Sequence, residues 1–250
     1  MTINTQKIWL VGGSEGIGFK LTEMWLAIGH KIIVSSRSAE ESESLLKLQH
    51  RYTDQLHLIN IDVMNNEHVL QAADKAWKHF DGLDIWFYNA GAYQPMNISE
   101  WDIKEFETMN QVNYFGCVRI MLALKDKFLQ QQHGRWIWNV SLASDFGLPY
   151  GGGYSAPKAA LQNLAESLQP ELAEQQIVLQ VINHGFVKTR LTAKNDFSML
   201  GLMEADEAAN KINGILDSKR FETRFPFSLI FVLMIIVLLP HALALKSTVK

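Results

Sequence analysis

Short apolar runs alternate along the chain with longer stretches in which apolar residues recur every three or four positions. Residues 8–11, 31–35, 56–61, 83–88, 135–140 and 178–182 are apolar runs of strand length. Between them, 17–28, 41–49, 67–79, 112–128 and 156–174 carry helical spacing. Parallel strands need crossover connections and are buried on both faces, so this alternation predicts a parallel sheet covered by helices on both sides. Right-handed crossovers make the fold doubly wound. A last strand is predicted at 219–224, closing a single domain over 1–224 and leaving an apolar tail at 225–250. In such sheets ligands sit beyond the carboxyl ends of the strands, so chemistry is sought there.

Composition adds exclusions. The 250 residues are 48% hydrophobic, enough for a substantial core. A net charge of −3 without a basic run speaks against nucleic acid. Cys117 is the single cysteine, so no internal disulfide exists and a reducing compartment fits. With Phe115, Val118 and Ile120 around it, a buried structural thiol is expected. Residues 1–7 lack the apolar core of a signal peptide, which predicts a cytoplasmic protein. No metal site is expected.

The first predicted strand runs into Gly12-Gly13-Ser14-Glu15-Gly16-Ile17-Gly18 and then a helix. Glycines at 12, 16 and 18 allow a tight turn and close approach of backbone to a pyrophosphate, which the helix N-terminus favours. The second strand ends Val34-Ser35-Ser36-Arg37-Ser38. An acid there would bind ribose hydroxyls and repel a 2′-phosphate. Arg37 can instead take that phosphate bidentately, so NADP(H) is favoured over NAD(H). A solvated strand-end arginine is the plainer alternative.

Tyr154 and Lys158 stand four residues apart on one predicted helix face, able to point into the same cleft. A free tyrosine titrates near about 10, and a lysine cation with an oxidised nicotinamide should lower that value. Ser141 ends the fifth strand, thirteen residues before Tyr154, and Asn113 stands near a helix start. Singly, Ser141 reads as a strand-end cap, Asn113 as a helix-start residue and Lys158 as a solvated charge.

In register together, these residues resemble the short-chain dehydrogenase/reductase family, from the G-x-x-x-G-x-G turn to about residue 222. The resemblance implies a Rossmann-type sheet. Asn89-Ala90-Gly91 matches the family's Asn-Ala-Gly signature, and Asp62, followed by Val63, its adenine-contacting acid. Ser36 stands where NAD-preferring relatives carry Asp, and Glu15 where some NADP enzymes carry a base. Gly134 to Ser141 aligns with the family's catalytic-serine strand. Asn183 to Thr189 resembles its P-G-x-V-x-T loop, with His184 in place of proline and Gly185, Val187 and Thr189 near the cofactor. Hydride would pass between nicotinamide and a substrate carbon. Tyr154 would move the proton, Ser141 would hold the oxygen, Lys158 would tune the phenol and hold the nicotinamide ribose, and Asn113 would support a water.

A substrate lid is expected at about 185–215. Phe197, Met199, Leu200, Leu202 and Met203 within it suggest a lipophilic carbonyl or alcohol. Tyr150 and a mobile Gly151-Gly152-Gly153 should form the opposite wall, with Pro157 in the first turn of the following helix. The tail from Phe225 to Leu245 is interrupted by Pro226, Ser228, Pro240 and His241 alone. Because 229–239 lacks a polar face, it should be covered by a second subunit or by lipid. A homo-oligomer contact, a helix lying on a membrane surface and a spanning anchor are the alternatives, the second favoured. Arg220, Arg224, Lys246 and Lys250 would meet head groups. A non-catalytic NADP(H)-binding regulator or membrane scaffold is the competing function, against which all four catalytic positions are filled.

Overall fold

The computed structural model describes residues 5–248. Seven parallel strands form one sheet in the order β3-β2-β1-β4-β5-β6-β7. They are β1 Lys7–Val11, β2 Lys31–Ser36, β3 Leu56–Asn60, β4 Ile85–Tyr88, β5 Gly134–Asn139, β6 Ile177–His184 and β7 Glu222–Phe225. The intervening helices are α1 Gly16–Ala27, α2 Glu43–Arg51, α3 Asn66–His79, α4 Ile103–Asn110, α5 Gly116–Gln131, α6 Gly152–Glu174 and α7 Ala205–Asn213. The tail adds α8 Phe227–Leu238 and α9 His241–Ser247. This is the Rossmann-type α/β fold. Strand order reverses between β1 and β4, which opens a crevice at their carboxyl ends.

Side chains alternate across the sheet with period two. Trp9, Val11, Trp86, Tyr88, Trp136 and Trp138 face one layer, with Cys117 and Ile120 of α5. Ile8, Leu10, Phe87 and Ile137 face the other, under Leu21 and Trp25 of α1. Trp86 meets Trp136 and Trp138 edge-on, at 5.5 and 6.0 Å between ring centres. Burying both faces fixes the register of every strand, because a one-residue slip would exchange the two layers.

Several boundaries differ from expectation. The last strand starts at Glu222, not at 219. The predicted helix 112–128 is α5, preceded by a π-helical turn over Gln111–Phe115 that joins it to α4, a helix the periodicity did not predict. Helix α6 starts at Gly152, so Pro157 lies in its second turn and cannot supply the N–H that the Gly153 carbonyl would take in a regular helix. Gly152 and Gly153 are therefore helical, not a mobile loop. A Cβ at Gly153 would stand 2.4 Å from Met109 Cε, so glycine lets α4 pack on the start of α6.

The spanning reading of the tail fails. Pro240 ends the apolar run as a helix, and no helix among the described residues is long and apolar enough to cross a membrane. Instead Leu229 and Leu233 are buried against Leu142 beside the crevice. Arg224 is engaged by Asp145 and Glu222, which removes it as a head-group anchor. Lys250 lies outside the described residues.

Candidate active site

A chain of amides crosses the ends of three strands. Asn89 donates from Nδ2 to the Gly12 carbonyl at 2.6 Å, and Asn139 donates to Asn89 Oδ1 at 2.7 Å. Lys158 donates from Nζ to the Asn139 carbonyl at 2.7 Å. The glycine turn, the Asn-Ala-Gly turn and helix α6 are thus tied through Asn139, a residue with no expected role. Its place at the carboxyl end of β5 was the available signal.

The turn glycines answer first to packing. Gly12 has φ +93°, and a Cβ there would meet the Ala90 nitrogen at 2.5 Å. A Cβ at Gly18 would meet the Gly12 carbonyl oxygen at 2.3 Å. Gly18 therefore holds helix to strand and does not line the crevice.

Ser141, Tyr154 and Lys158 share one cavity of about 380 Å³ with Gly12, Ser14, Glu15, Gly16, Ile17, Ser36, Arg37, Asp62, Val63, Asn89, Ala90 and Gly91. Gly185, Val187 and Thr189 close its far side. Ser141 is fixed by its own N–H, which donates to Asn183 Oδ1 at 3.0 Å. Asn113 is fully buried in the π-helical turn and does not face the cavity. Its Oδ1 accepts from the Ala92 N–H at 2.9 Å and its Nδ2 donates to the Ala92 carbonyl at 2.8 Å. Its side chain therefore braces the residue that follows the Asn-Ala-Gly turn.

Burial pushes the Tyr154 phenol up to about 12, although a hydrogen bond with Ser141 pulls the other way. Burial also lowers Lys158 to about 8. The lysine cation, 5.7 Å from the Tyr154 ring centre, does not overcome desolvation in the cofactor-free chain. His184, also on the cavity wall, is held down to about 4 by burial. It is a neutral imidazole at physiological pH, and its Nδ1 lies 2.6 Å from the Gly185 carbonyl, which requires the proton on that nitrogen.

At the second strand's end, the Ser36 hydroxyl is buried with no partner among the described residues. Arg37 is exposed beside it and makes no ion pair with the described residues. Asp62 accepts the Met64 N–H at 2.9 Å, as a turn residue does, while still lining the cavity. An orphaned hydroxyl, an unpaired guanidinium and an open helix N-terminus fit a phosphorylated dinucleotide.

The substrate end is lined by residues that the sequence reading did not single out. Tyr93 stands edge-on to Tyr154, 5.2 Å between ring centres, and donates to Asn195 Oδ1 at 2.7 Å. Leu142, Leu148, Phe186, Leu229 and Leu233 complete the apolar wall. Of the five apolar lid residues predicted, Phe197 alone reaches the cavity; Leu200 and Leu202 are exposed, and Met203 is buried beneath Val187.

Residues 6–198 match the family model described as short chain dehydrogenase. The chain belongs to the short chain dehydrogenase family. It is 30% identical over 195 residues to an uncharacterized oxidoreductase of Staphylococcus aureus strain MW2, covering 77% of this chain and 83% of that one. It is 24% identical to dehydrogenase/reductase SDR family member 7B of Xenopus tropicalis, covering 81% and 68% respectively. Among solved structures it resembles a short chain dehydrogenase of Burkholderia cenocepacia in complex with NADP. That likeness has TM-score 0.85 and 21% identity, over 100% of both chains. An alcohol dehydrogenase of Thermococcus sibiricus complexed with 5-hydroxy-NADP gives TM-score 0.77 at 24% identity, over 88% of this chain and 95% of that one. At these identities the structural likeness concerns the fold.

Proposed function

We propose that this protein is an NADP(H)-dependent oxidoreductase acting on a carbonyl or secondary alcohol, working as a ketoreductase on a lipophilic substrate. The observation that carries the reading is the convergence of Ser141, Tyr154 and Lys158 on the cavity that the glycine turn and Arg37 also line. When bound, the nicotinamide supplies or takes up the hydride. Tyr154, held protonated by its burial, donates its proton to the carbonyl oxygen as charge develops there. Ser141 stabilises that oxygen by hydrogen bonding. The Lys158 cation stabilises the phenolate left behind and holds the nicotinamide ribose. Arg37 and Ser36 receive the 2′-phosphate, and the N-terminus of α1 faces the pyrophosphate. Two structural neighbours described with NADP or 5-hydroxy-NADP support that cofactor.

The apolar wall supports the lipophilic substrate. The outward side of α8, with Phe231, Met234, Ile235 and Leu238 exposed, supports peripheral contact with a membrane surface. NADPH consumption against fatty, steroidal, sphingoid and small ketones and aldehydes tests the reaction. A protein that binds NADPH and turns over none of them is the non-catalytic regulator instead.

A further inference from the structure

Glu15 is the one acidic residue in the glycine turn, and a carboxylate facing a diphosphate is electrostatically unfavourable. It occupies the N-cap position of α1 in extended conformation, yet its side chain makes no cap hydrogen bond. Its Oε1 instead accepts from Arg190, at 2.9 Å from Nε and 2.8 Å from Nη2. The partners are 175 residues apart and both line the cavity. The loop carrying Arg190 lies on the glycine turn itself: Thr189 Cγ2 is 3.1 Å from where a Cβ on Gly16 would stand.

That loop is braced from within. Thr192 Oγ1 donates to the Val187 carbonyl at 2.6 Å and accepts the Thr189 N–H at 3.0 Å. Lys188 N–H donates to the Met203 carbonyl at 2.8 Å. Arg190 therefore extends from a fixed backbone, and Glu15 sets the direction of its guanidinium. Both side chains are more than half exposed, at 62% and 55%, so the pair is open to an incoming anion. The pair engages one edge of the fork through Nε and Nη2, and a guanidinium carries five donors in all.

We propose that Arg190 is a diphosphate-binding residue, aimed over the glycine turn by Glu15. The proposal rests on the nicotinamide dinucleotide reading and deepens it. Arg37 addresses the 2′-phosphate, which NADPH alone carries; Arg190 addresses the diphosphate, which NADPH, NADH and ADP-ribose share. Arg190 also supplies a positive charge from the far side of the cleft, beside a turn that carries the acidic Glu15.

Equilibrium binding measured by calorimetry on the full chain tests this without turnover. Arg190→Gln is expected to weaken NADPH, NADH and ADP-ribose alike, by roughly tenfold for a lost charge-assisted contact. Adenosine 2′-monophosphate, which has no diphosphate, should bind as before. The same loss should appear when Arg190→Gln is made in a Glu15→Gln background, because the contact is direct. A loss seen only while Glu15 is present makes Arg190 a mere screen for that carboxylate and overturns the proposal. A loss confined to NADPH, or none, overturns it too. The pair is exposed, so thermal melting of the cofactor-free variants should show intact folding. Wild type failing to bind any dinucleotide would sink the cofactor reading itself, a different result from NADPH binding that Arg190→Gln leaves untouched.

Discussion

Lys158 donates from its buried ammonium to the Asn139 carbonyl, so this cation is held by backbone and has no carboxylate among its hydrogen-bond or ion-pair partners in the described residues. Burial lowers its pKa from 10.5 to about 8. Between those values the unfolded chain binds more protons than the folded one, so this group makes stability rise with pH across that window. The penalty is complete below about pH 8 and gone above about 10.5. Lys158→Met should therefore stabilise the cofactor-free protein at pH 7 by about 1–2 kcal/mol, after loss of one hydrogen bond, while abolishing turnover. Urea denaturation at pH 7 and 9.5 checks the sign. The advantage should shrink at the higher pH, and a variant less stable at pH 7 refutes the account.

Tyr154→Phe should lower kcat more than about a hundredfold and leave the NADPH dissociation constant nearly unchanged, since the ring still packs against Tyr93. Near-normal kcat in this variant removes the phenol from the mechanism.

Cofactor choice should follow Arg37. The wild type is expected to use NADPH better than NADH, and Arg37→Ala should raise the NADPH KM more than the NADH KM. A lost charge-assisted contact is worth about 1.5–3 kcal/mol, roughly tenfold or more in that ratio. Steady-state kinetics with both cofactors decide it; an equal effect on both contradicts the assignment.

The legible part of this molecule was what local pattern encodes. Six of the seven strands and the helices α1, α2, α3, α5 and α6 follow from apolar periodicity, and the cavity gathers every predicted cofactor residue but Gly18, most of them just past a strand end. What pattern could not supply was partnership. Asn113 and Gly18 stand outside the lining of this cavity, because they meet Ala92 and the Gly12 carbonyl, contacts that become visible only in three dimensions. The burial of Tyr154 was hidden for the same reason: the separation of Tyr154 and Lys158 shows a shared helix face, whereas desolvation depends on everything packed around it. Helix α4 was missed because 103–110 carries a weak apolar stripe with one buried residue, Met109.

The tail offers the sharpest separation of roles, because its two sides do different things. Leu229 and Leu233 turn inward, and Leu229 Cδ2 lies 2.8 Å from where a Cβ on Gly185 would stand, so α8 is seated directly on the loop beside the cofactor cleft. Phe231, on the same helix, is 47% exposed. Leu233→Ala should cost about 2 kcal/mol, the low end for a buried leucine in a small cluster, and should widen the cavity. Its kcat/KM should then shift toward bulkier ketones. Phe231→Gln should leave that selectivity unchanged and instead alter sedimentation with vesicles or the oligomer seen in detergent-free solution. Kinetics across a graded ketone series, beside flotation and light scattering, read the two sides independently. If Leu233→Ala leaves the selectivity order intact, α8 is not a wall of the substrate site, and the tail acts only outward.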